Sequence, residues 1–152
     1  MSSLVDVMTH PWHLVRRFFT SLPPTPPSGE DERWAEKHLL SSEQELFVQL
    51  SNRDRRHSIA VARRFDEARD GATRAEIAGA LLHDIGKIEC ELGTFARVVA
   101  TLVGPRTERF RAYHDHEMIG ARLVNAVGSD PATVELVAEA GPVYPLLEEC
   151  DY

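Results

Sequence analysis

The chain has 152 residues, of which 43% are hydrophobic, and this is enough for one core of ordinary size but not for two independent domains. The formal net charge of −7 argues against non-specific binding to nucleic acid or to an anionic membrane surface. Two cysteines, Cys90 and Cys150, are too few for a disulfide framework. Residues 1–20 lack a signal-peptide core and an apolar run that could span a bilayer, so we expect a cytoplasmic protein without a membrane partner.

The N-terminal residues form a segment of their own. Trp12, Phe18 and Phe19 lie on roughly one face of a short predicted helix, which ends before a proline-rich stretch at residues 23–29. Consecutive prolines cannot continue a helix and favour an extended backbone, so this stretch is predicted to be a linker. We therefore divide the chain into an extension, 1–29, and a helical domain, 30–152. The helix of the extension either packs on that domain or contacts a partner.

Several helices of the domain are predicted from their capping residues. After a first helix at 30–40, Ser42 and Glu45 have the spacing of a capping box and predict the start of the next one. The polar residues 51–54 are placed to cap a third helix, which is predicted to end at Gly71. Thr73 and Glu76 form a second capping box, which begins a helix rich in alanine and leucine.

The helix that follows Thr73 runs into the stretch Ala80-Leu-Leu-His-Asp-Ile-Gly-Lys87. Gly86 is placed to terminate it, so His83 and Asp84 are predicted to lie at its C-terminal end, at the edge of a core. A buried carboxylate without a partner is costly, and a divalent cation is the simplest group that could neutralise Asp84.

The rest of the chain also has a helical pattern. We predict helices at 94–103 and at 107–127, with a candidate break near Asp115 in the second, and a further one that starts at Asp130-Pro131 and reaches Gly141. A last short turn carries residues 146–151. No segment alternates strictly between apolar and polar residues, so the predicted fold class is all-α, a compact multi-helix bundle.

Residues with metal-binding side chains are distributed over separate predicted helices. Helical bundles build metal sites in this way, by projecting single residues inward from several helices. Imidazole and carboxylate ligands suit Fe, Mn, Zn, Co or Ni and leave the identity of the metal open. The candidate ligands are His57, His83, Asp84, His114, Asp115, His116 and Asp151.

The segment from Leu81 to Lys87 resembles the central motif of the HD superfamily of metal-dependent phosphohydrolases, without a gap. The histidine that precedes the motif in that family is matched by His57, 26 residues before His83. The His116-Glu-Met-Ile-Gly-Ala segment is similar to one where many members place another histidine. This likeness covers about residue 53 to the C-terminus and implies an all-α HD-type fold.

The resemblance also implies roles for single residues. His57, His83, Asp84 and Asp151 would bind one metal ion, and Asp84 could bridge to a second ion. His116 would be a ligand of that second ion or a phosphate contact. Lys87 would bind an anionic substrate or pair with Asp84. No histidine follows His116, which favours one ion, or a weak second site completed by water and substrate.

The activity implied by the resemblance is hydrolysis of a small phosphorylated molecule, such as a nucleotide, with Asp84 orienting the water that attacks. Helical periodicity places Arg53 and Arg64 on the same face as His57, so both are predicted to bind phosphate, whereas Arg56 and Arg63 point elsewhere. Two other functions stay open: a di-iron oxygenase of the same superfamily, and a non-catalytic metal-binding regulatory or interaction protein. A homo-oligomer also stays open, because core and interface faces look alike in a helical pattern.

Overall fold

Seven α-helices make up the regular secondary structure of residues 25–88 and 108–152, which the computed structural model describes; for 108–116 it describes the backbone alone. No strand occurs within these residues, which confirms the all-α prediction. The predicted helices at the N-terminus and at 94–103, and Cys90, lie outside the described residues. The helices are α1 (Gly29–Lys37), α2 (Ser41–Phe47), α3 (Asn52–Ala68), α4 (Arg74–Leu81), α5 (Glu108–Ala126), α6 (Pro131–Val137) and α7 (Tyr144–Cys150).

Helix α3 lies at the centre of the part of the fold that carries the site. Its apolar face, with Ile59, Val61 and Phe65, is fully or almost fully buried. Helices α4 and α7 both pack against α3, while α6 packs against α4 and α5. The end of α7 and the end of α4 therefore meet the same central helix. No helix in the described ranges has both the length and the apolar character needed to cross a membrane.

Helix α1 is attached to α3 by arginine side chains. Arg55 pairs with Glu32 at 3.2 Å, and Arg63 pairs with Asp31 at 2.8 Å while its guanidinium lies over the Trp34 ring. Ser28 caps α1 by accepting a hydrogen bond from the backbone N–H of Asp31. These contacts fix the first described helix on the domain.

The capping box predicted at Ser42 and Glu45 is wrong. Helix α2 begins at Ser41, so Ser42 lies within the helix, where its hydroxyl donates to the carbonyl of Val127 at 2.8 Å. Glu45 is exposed. The carboxylate at the helix start is Glu43, which accepts a hydrogen bond from the backbone N–H of Leu40 at 2.7 Å. The local capping contact therefore lies two residues earlier in the chain than predicted, and Ser42 bonds to a distant residue instead.

The caps predicted for α3 and α4 are confirmed. Ser51 accepts a hydrogen bond from the N–H of Asp54, and Thr73 and Glu76 form the reciprocal pair of bonds of a capping box. Within α4, a side chain at Gly79 would meet Leu136 at 2.8 Å. Glycine at this position therefore lets α6 approach α4 closely.

Helix α4 ends earlier than predicted. Its last residue is Leu81, and His83, Asp84 and Gly86 lie in consecutive turns that follow it. Gly86 is not among the described residues with a positive φ, so it does not end the helix in a left-handed conformation. Its backbone N lies 3.2 Å from the position that a side chain at Gly120 would occupy, so two glycines meet where α5 crosses this turn.

The last three helices agree in part with the prediction. Helix α5 is continuous over its described length, without a break at Asp115, and Gly128 follows it with a φ of 84°. Asp130 is the N-cap of α6 and Pro131 its first residue, but the Asp130 carboxylate makes no capping bond and pairs with Arg74 at 2.6 Å. Helix α6 ends at Val137, short of Gly141, and the predicted last turn is the two-turn helix α7.

Candidate metal centre

Three of the predicted ligands converge although they lie far apart in the sequence. His57, His83 and Asp151 each offer a nitrogen or oxygen atom, and these atoms all lie within 4.8 Å of one another. The Nε2 atom of His57 is 2.8 Å from Oδ1 of Asp151, and the two imidazole rings have centroids 6.0 Å apart. The structure thus brings together three of the four residues that the resemblance assigns to one metal ion.

Each of the three candidate ligands lies in a different part of the fold. His57 lies on the buried central helix α3, and only 12% of its side chain is exposed. His83 lies in the turn after α4, and Asp151 is the C-cap residue of α7. Because α4 and α7 both pack against α3, the turn and the helix end are held beside His57 by the core.

The ring orientation of His83 is fixed by a backbone contact. Its Nδ1 atom is 2.6 Å from the carbonyl oxygen of Ala80, so Nδ1 carries the proton and donates it to this oxygen. This contact is the kind that orients histidine ligands in metal sites, because it directs the lone pair of the other nitrogen toward the metal. In His83 that other nitrogen, Nε2, faces the carboxylates of the site.

The Nε2 atom of His83 is buried, and no group among the described residues is aligned for a hydrogen bond with it. The nearest charged atoms are Oδ2 of Asp84 at 3.3 Å and Oδ2 of Asp151 at 3.6 Å. A buried polar atom without a hydrogen bond is uncommon and costly. A neutral imidazole would direct its lone pair at two carboxylates, so the arrangement needs either a proton or a cation at this nitrogen.

Asp84 lies beside this group and joins it to Lys87. Its Oδ2 atom, which faces His83, is also 3.2 Å from Nζ of Lys87, and the same ammonium is 3.8 Å from Oδ1 of Asp54. The other oxygen of Asp54 accepts a hydrogen bond from Ser51 at 2.9 Å. The structure therefore places Lys87 as a partner of Asp84, one of the two roles that were predicted for it.

The charges of the cluster shift its pKa values strongly. Burial alone would lower the pKa of His83, but the carboxylates of Asp84 and Asp151 outweigh it and hold that pKa well above 6.5. Burial would raise the pKa of Asp84, yet His83 and then Lys87 hold it well below its usual range. The pKa of Asp151 is lowered in the same way by His57 and His83. Both carboxylates are thus ionised at neutral pH.

The two arginines predicted to bind phosphate have different surroundings. Arg64 donates hydrogen bonds to the backbone carbonyls of Cys150 and Tyr152, on either side of Asp151. Arg53 is half-buried in the first turn of α3. Arg56 and Arg63 point away from the site, as predicted, and bond to Thr25 and Asp31. Phosphate binding by Arg53 and Arg64 stays a prediction.

The structure does not test the predicted roles of three residues on α5. The backbone of His114, Asp115 and His116 belongs to this helix, but their side chains lie outside the described part of the structure. A role of His116 at a second metal ion or at a phosphate therefore stays a prediction.

Two groups at the site were not predicted. Asp54, the second partner of Lys87, follows Ser51 by three residues, a spacing that pointed only to helix capping. Its position three residues before His57 was the available signal, because residues three apart share one face of a helix. The second group is the backbone carbonyl of Ala80, which orients His83. The sequence could not indicate this role, because every residue has a backbone carbonyl.

The donor set fits a divalent transition metal. Two imidazole nitrogens and a carboxylate oxygen are ligands that zinc, iron and similar ions accept, and three protein ligands leave a coordination position for water or substrate. The unbonded Nε2 of His83 and the carboxylate oxygens around it are the groups that such an ion would satisfy.

Comparison of the chain with protein-family models, with curated proteins and with solved structures gives no match. The resemblance to the HD superfamily therefore rests on the motif residues alone and stays a prediction.

Proposed function

We propose that this protein is a metal-dependent phosphohydrolase that acts on a small phosphorylated molecule. The observation that carries the proposal is the convergence of His57, His83 and Asp151, in which the buried Nε2 of His83 has no aligned hydrogen bond among the described residues. With three protein ligands, the site would keep a position open for chemistry. A bound divalent cation would lower the pKa of a coordinated water and neutralise charge on phosphoryl oxygens.

Asp84 and Lys87, beside the three proposed ligands, would act on the water and on the substrate. Asp84 lies 3.2 Å from the Lys87 ammonium, which favours its ionised form also when His83 is a neutral metal ligand, so Asp84 would accept a hydrogen bond from the attacking water and orient it. Lys87 is 36% exposed at its side chain and keeps a positive charge at the edge of the site, since its pKa is raised by Asp84 and Asp54 although burial opposes this shift. An anionic substrate would be attracted to that edge.

The position of Lys87 bears on the alternative of a di-iron oxygenase. The ammonium lies 3.2 Å from Oδ2 of Asp84, the carboxylate that would have to bridge two ions. A cation that is already present beside this oxygen repels a second one. This contact opposes a second ion at Asp84 and so counts against di-iron chemistry.

The test begins with elemental analysis of the purified protein. A screen of phosphomonoesters, nucleotides and cyclic nucleotides follows, with each divalent metal added in turn. We expect about one metal ion per chain and release of phosphate from at least one substrate class. His83→Ala should abolish phosphate release and lower the metal affinity by more than the roughly 10- to 100-fold that loss of an outer-shell partner costs.

His38 provides a matched control for His83. It also places Nδ1 against a backbone carbonyl, that of Trp34 at 2.7 Å, but it is the C-cap residue of α1 and not one of the grouped candidate ligands. His38→Ala should leave metal content and activity unchanged. Two irons per chain with an oxygen-dependent spectrum would instead identify an oxygenase, and a protein that retains no metal and hydrolyses nothing would support a regulatory or interaction protein.

A further inference from the structure

Arg64 holds the chain on both sides of Asp151. Its Nη1 atom donates hydrogen bonds to the carbonyl oxygen of Cys150 at 2.6 Å and to that of Tyr152 at 2.9 Å. The centre of its guanidinium lies 3.9 Å from the centroid of the Tyr152 ring, a cation–π contact. One side chain therefore contacts the residue before Asp151 and, twice, the residue after it.

Asp151 needs such support because it lies beyond the last residue of α7. As the C-cap it has a φ of −87° and a ψ of 77°, outside the helical range, and its N–H bonds only back to Glu148. A residue at a helix end is free to move unless other contacts tie it down. The carboxylate must nevertheless stay 2.8 Å from His57.

Arg64 and His57 belong to the same helix, α3, about two turns apart. A contact from Arg64 to the backbone around Asp151 therefore fixes the carboxylate relative to His57 through a rigid element. Ligands that are held in place before the metal arrives bind it more tightly, because less ordering remains to be done.

We propose that Arg64 is a positioning residue that holds the Asp151 carboxylate against His57 and His83. Its effect on metal affinity rests on the proposed function, whereas its effect on the geometry of Asp151 does not. This role uses the guanidinium as a backbone clamp and differs from the phosphate contact that helical periodicity predicted.

The test compares Arg64→Ala with Arg63→Ala in the full chain. Arg63 neighbours Arg64 on α3 but contacts Asp31 and Trp34 on another side, so its variant controls for loss of an arginine from this helix. In the metal-free protein, imidazole nitrogen NMR shifts of His57 should change in Arg64→Ala in the same direction as in Asp151→Asn and stay unchanged in Arg63→Ala. In Arg64→Lys, which keeps a hydrogen-bond donor, the His57 shifts should lie between those of Arg64→Ala and those of the wild type.

Metal binding supplies the second measurement. Titration with Zn²⁺ should show a loss of affinity of about 10- to 100-fold in Arg64→Ala, the range found when a group that orients a ligand is removed. In an Asp151→Asn background, Arg64→Ala should lower the Zn²⁺ affinity much less, because Arg64 acts through the Asp151 carboxylate and this background lacks it.

These measurements separate two kinds of failure. Unchanged His57 shifts in a folded Arg64→Ala protein, or an affinity loss that persists in full in the Asp151→Asn background, would overturn the positioning role. Wild-type protein that binds no Zn²⁺ would instead refute the proposed function, and the NMR comparison would still decide whether Arg64 holds Asp151.

Discussion

Two carboxylate clusters of this protein, the Glu43 cluster and the His83 cluster, differ in whether their polar atoms have hydrogen-bond partners. The Glu43 cluster joins α2 to the start of α4 and to the turn after α5, and the side chain of Glu43 is completely buried. Its carboxylate accepts hydrogen bonds from the Leu40 N–H at 2.7 Å, from the Ser129 hydroxyl at 2.7 Å and from Arg74 at 3.3 Å. At the His83 cluster, carboxylates surround a nitrogen that has no aligned partner among the described residues. The first cluster is complete, and the second is not.

The difference indicates a structural role for the Glu43 cluster and agrees with the functional role that we propose for the His83 cluster. A buried charge whose hydrogen-bonding atoms are satisfied stabilises the arrangement around it, and removing one member leaves the others without partners. A cluster whose buried nitrogen faces two carboxylates at 3.3 and 3.6 Å without an aligned hydrogen bond depends on a proton or a cation at that nitrogen, and an incompletely satisfied buried polar group of this kind calls for an explanation such as a bound ion. Substitutions in the two clusters should therefore affect different measurements.

The largest loss of stability is expected for Glu43→Ala. It removes a completely buried carboxylate that accepts from the part-buried Leu40 N–H and Ser129 hydroxyl and pairs with Arg74, and breaking a buried charged pair costs about 3–5 kcal/mol. We expect a loss of about 3 kcal/mol in the free energy of unfolding, measured by urea denaturation. Glu45→Ala, on the exposed side of the same helix, should change it by no more than about 0.5 kcal/mol. Equal effects of the two substitutions would contradict the structural role of the Glu43 cluster.

Added metal should produce a slightly smaller change, and only through the His83 cluster. At a free Zn²⁺ concentration of 100 times Kd, the wild-type protein should gain about 2.7 kcal/mol in the free energy of unfolding. Glu43→Ala should show the same gain from its lower starting value, whereas His83→Ala should show none. Denaturation with and without Zn²⁺ measures this directly, and a gain in His83→Ala would mean that the ion binds elsewhere.

The smallest effect concerns Glu76, a satisfied carboxylate like Glu43. Burial would raise its pKa, but the hydrogen bonds from Arg69 and from Thr73 lower it below the ordinary value of 4.5. A carboxyl group whose pKa is lower in the folded state contributes stability above its unfolded pKa, and this contribution disappears as the pH falls through the folded value.

Glu76→Gln should accordingly be less stable than the wild type at neutral pH, and the difference should shrink as the pH falls below about 4.5. Urea denaturation at a series of pH values measures this difference. Zn²⁺ affinity at neutral pH should be the same in both proteins, since Glu76 belongs to a helix cap and not to the proposed metal centre. A difference in stability that is independent of pH would contradict the ionic role of this cap.

Local sequence signals predicted those features that depend on neighbouring residues. The caps at Ser51 and Thr73 were predicted correctly because each is completed within three residues. The cap at Ser42 was predicted wrongly for the converse reason. Its hydroxyl bonds to Val127, 85 residues away, and a long-range partner of this kind leaves no trace in the local pattern.

For the candidate site, the sequence predicted which residues are involved more fully than it predicted their contacts. The sequence by itself determined the all-α class and which histidines and aspartates are candidate ligands, because residue type and helical period are local properties. Only the tertiary structure decided that Asp151 meets His57, that Ala80 orients His83, and that Arg64 holds the chain around Asp151. These contacts join α3, the turn after α4 and the end of α7, and they exist only because the apolar faces of these elements pack into one core.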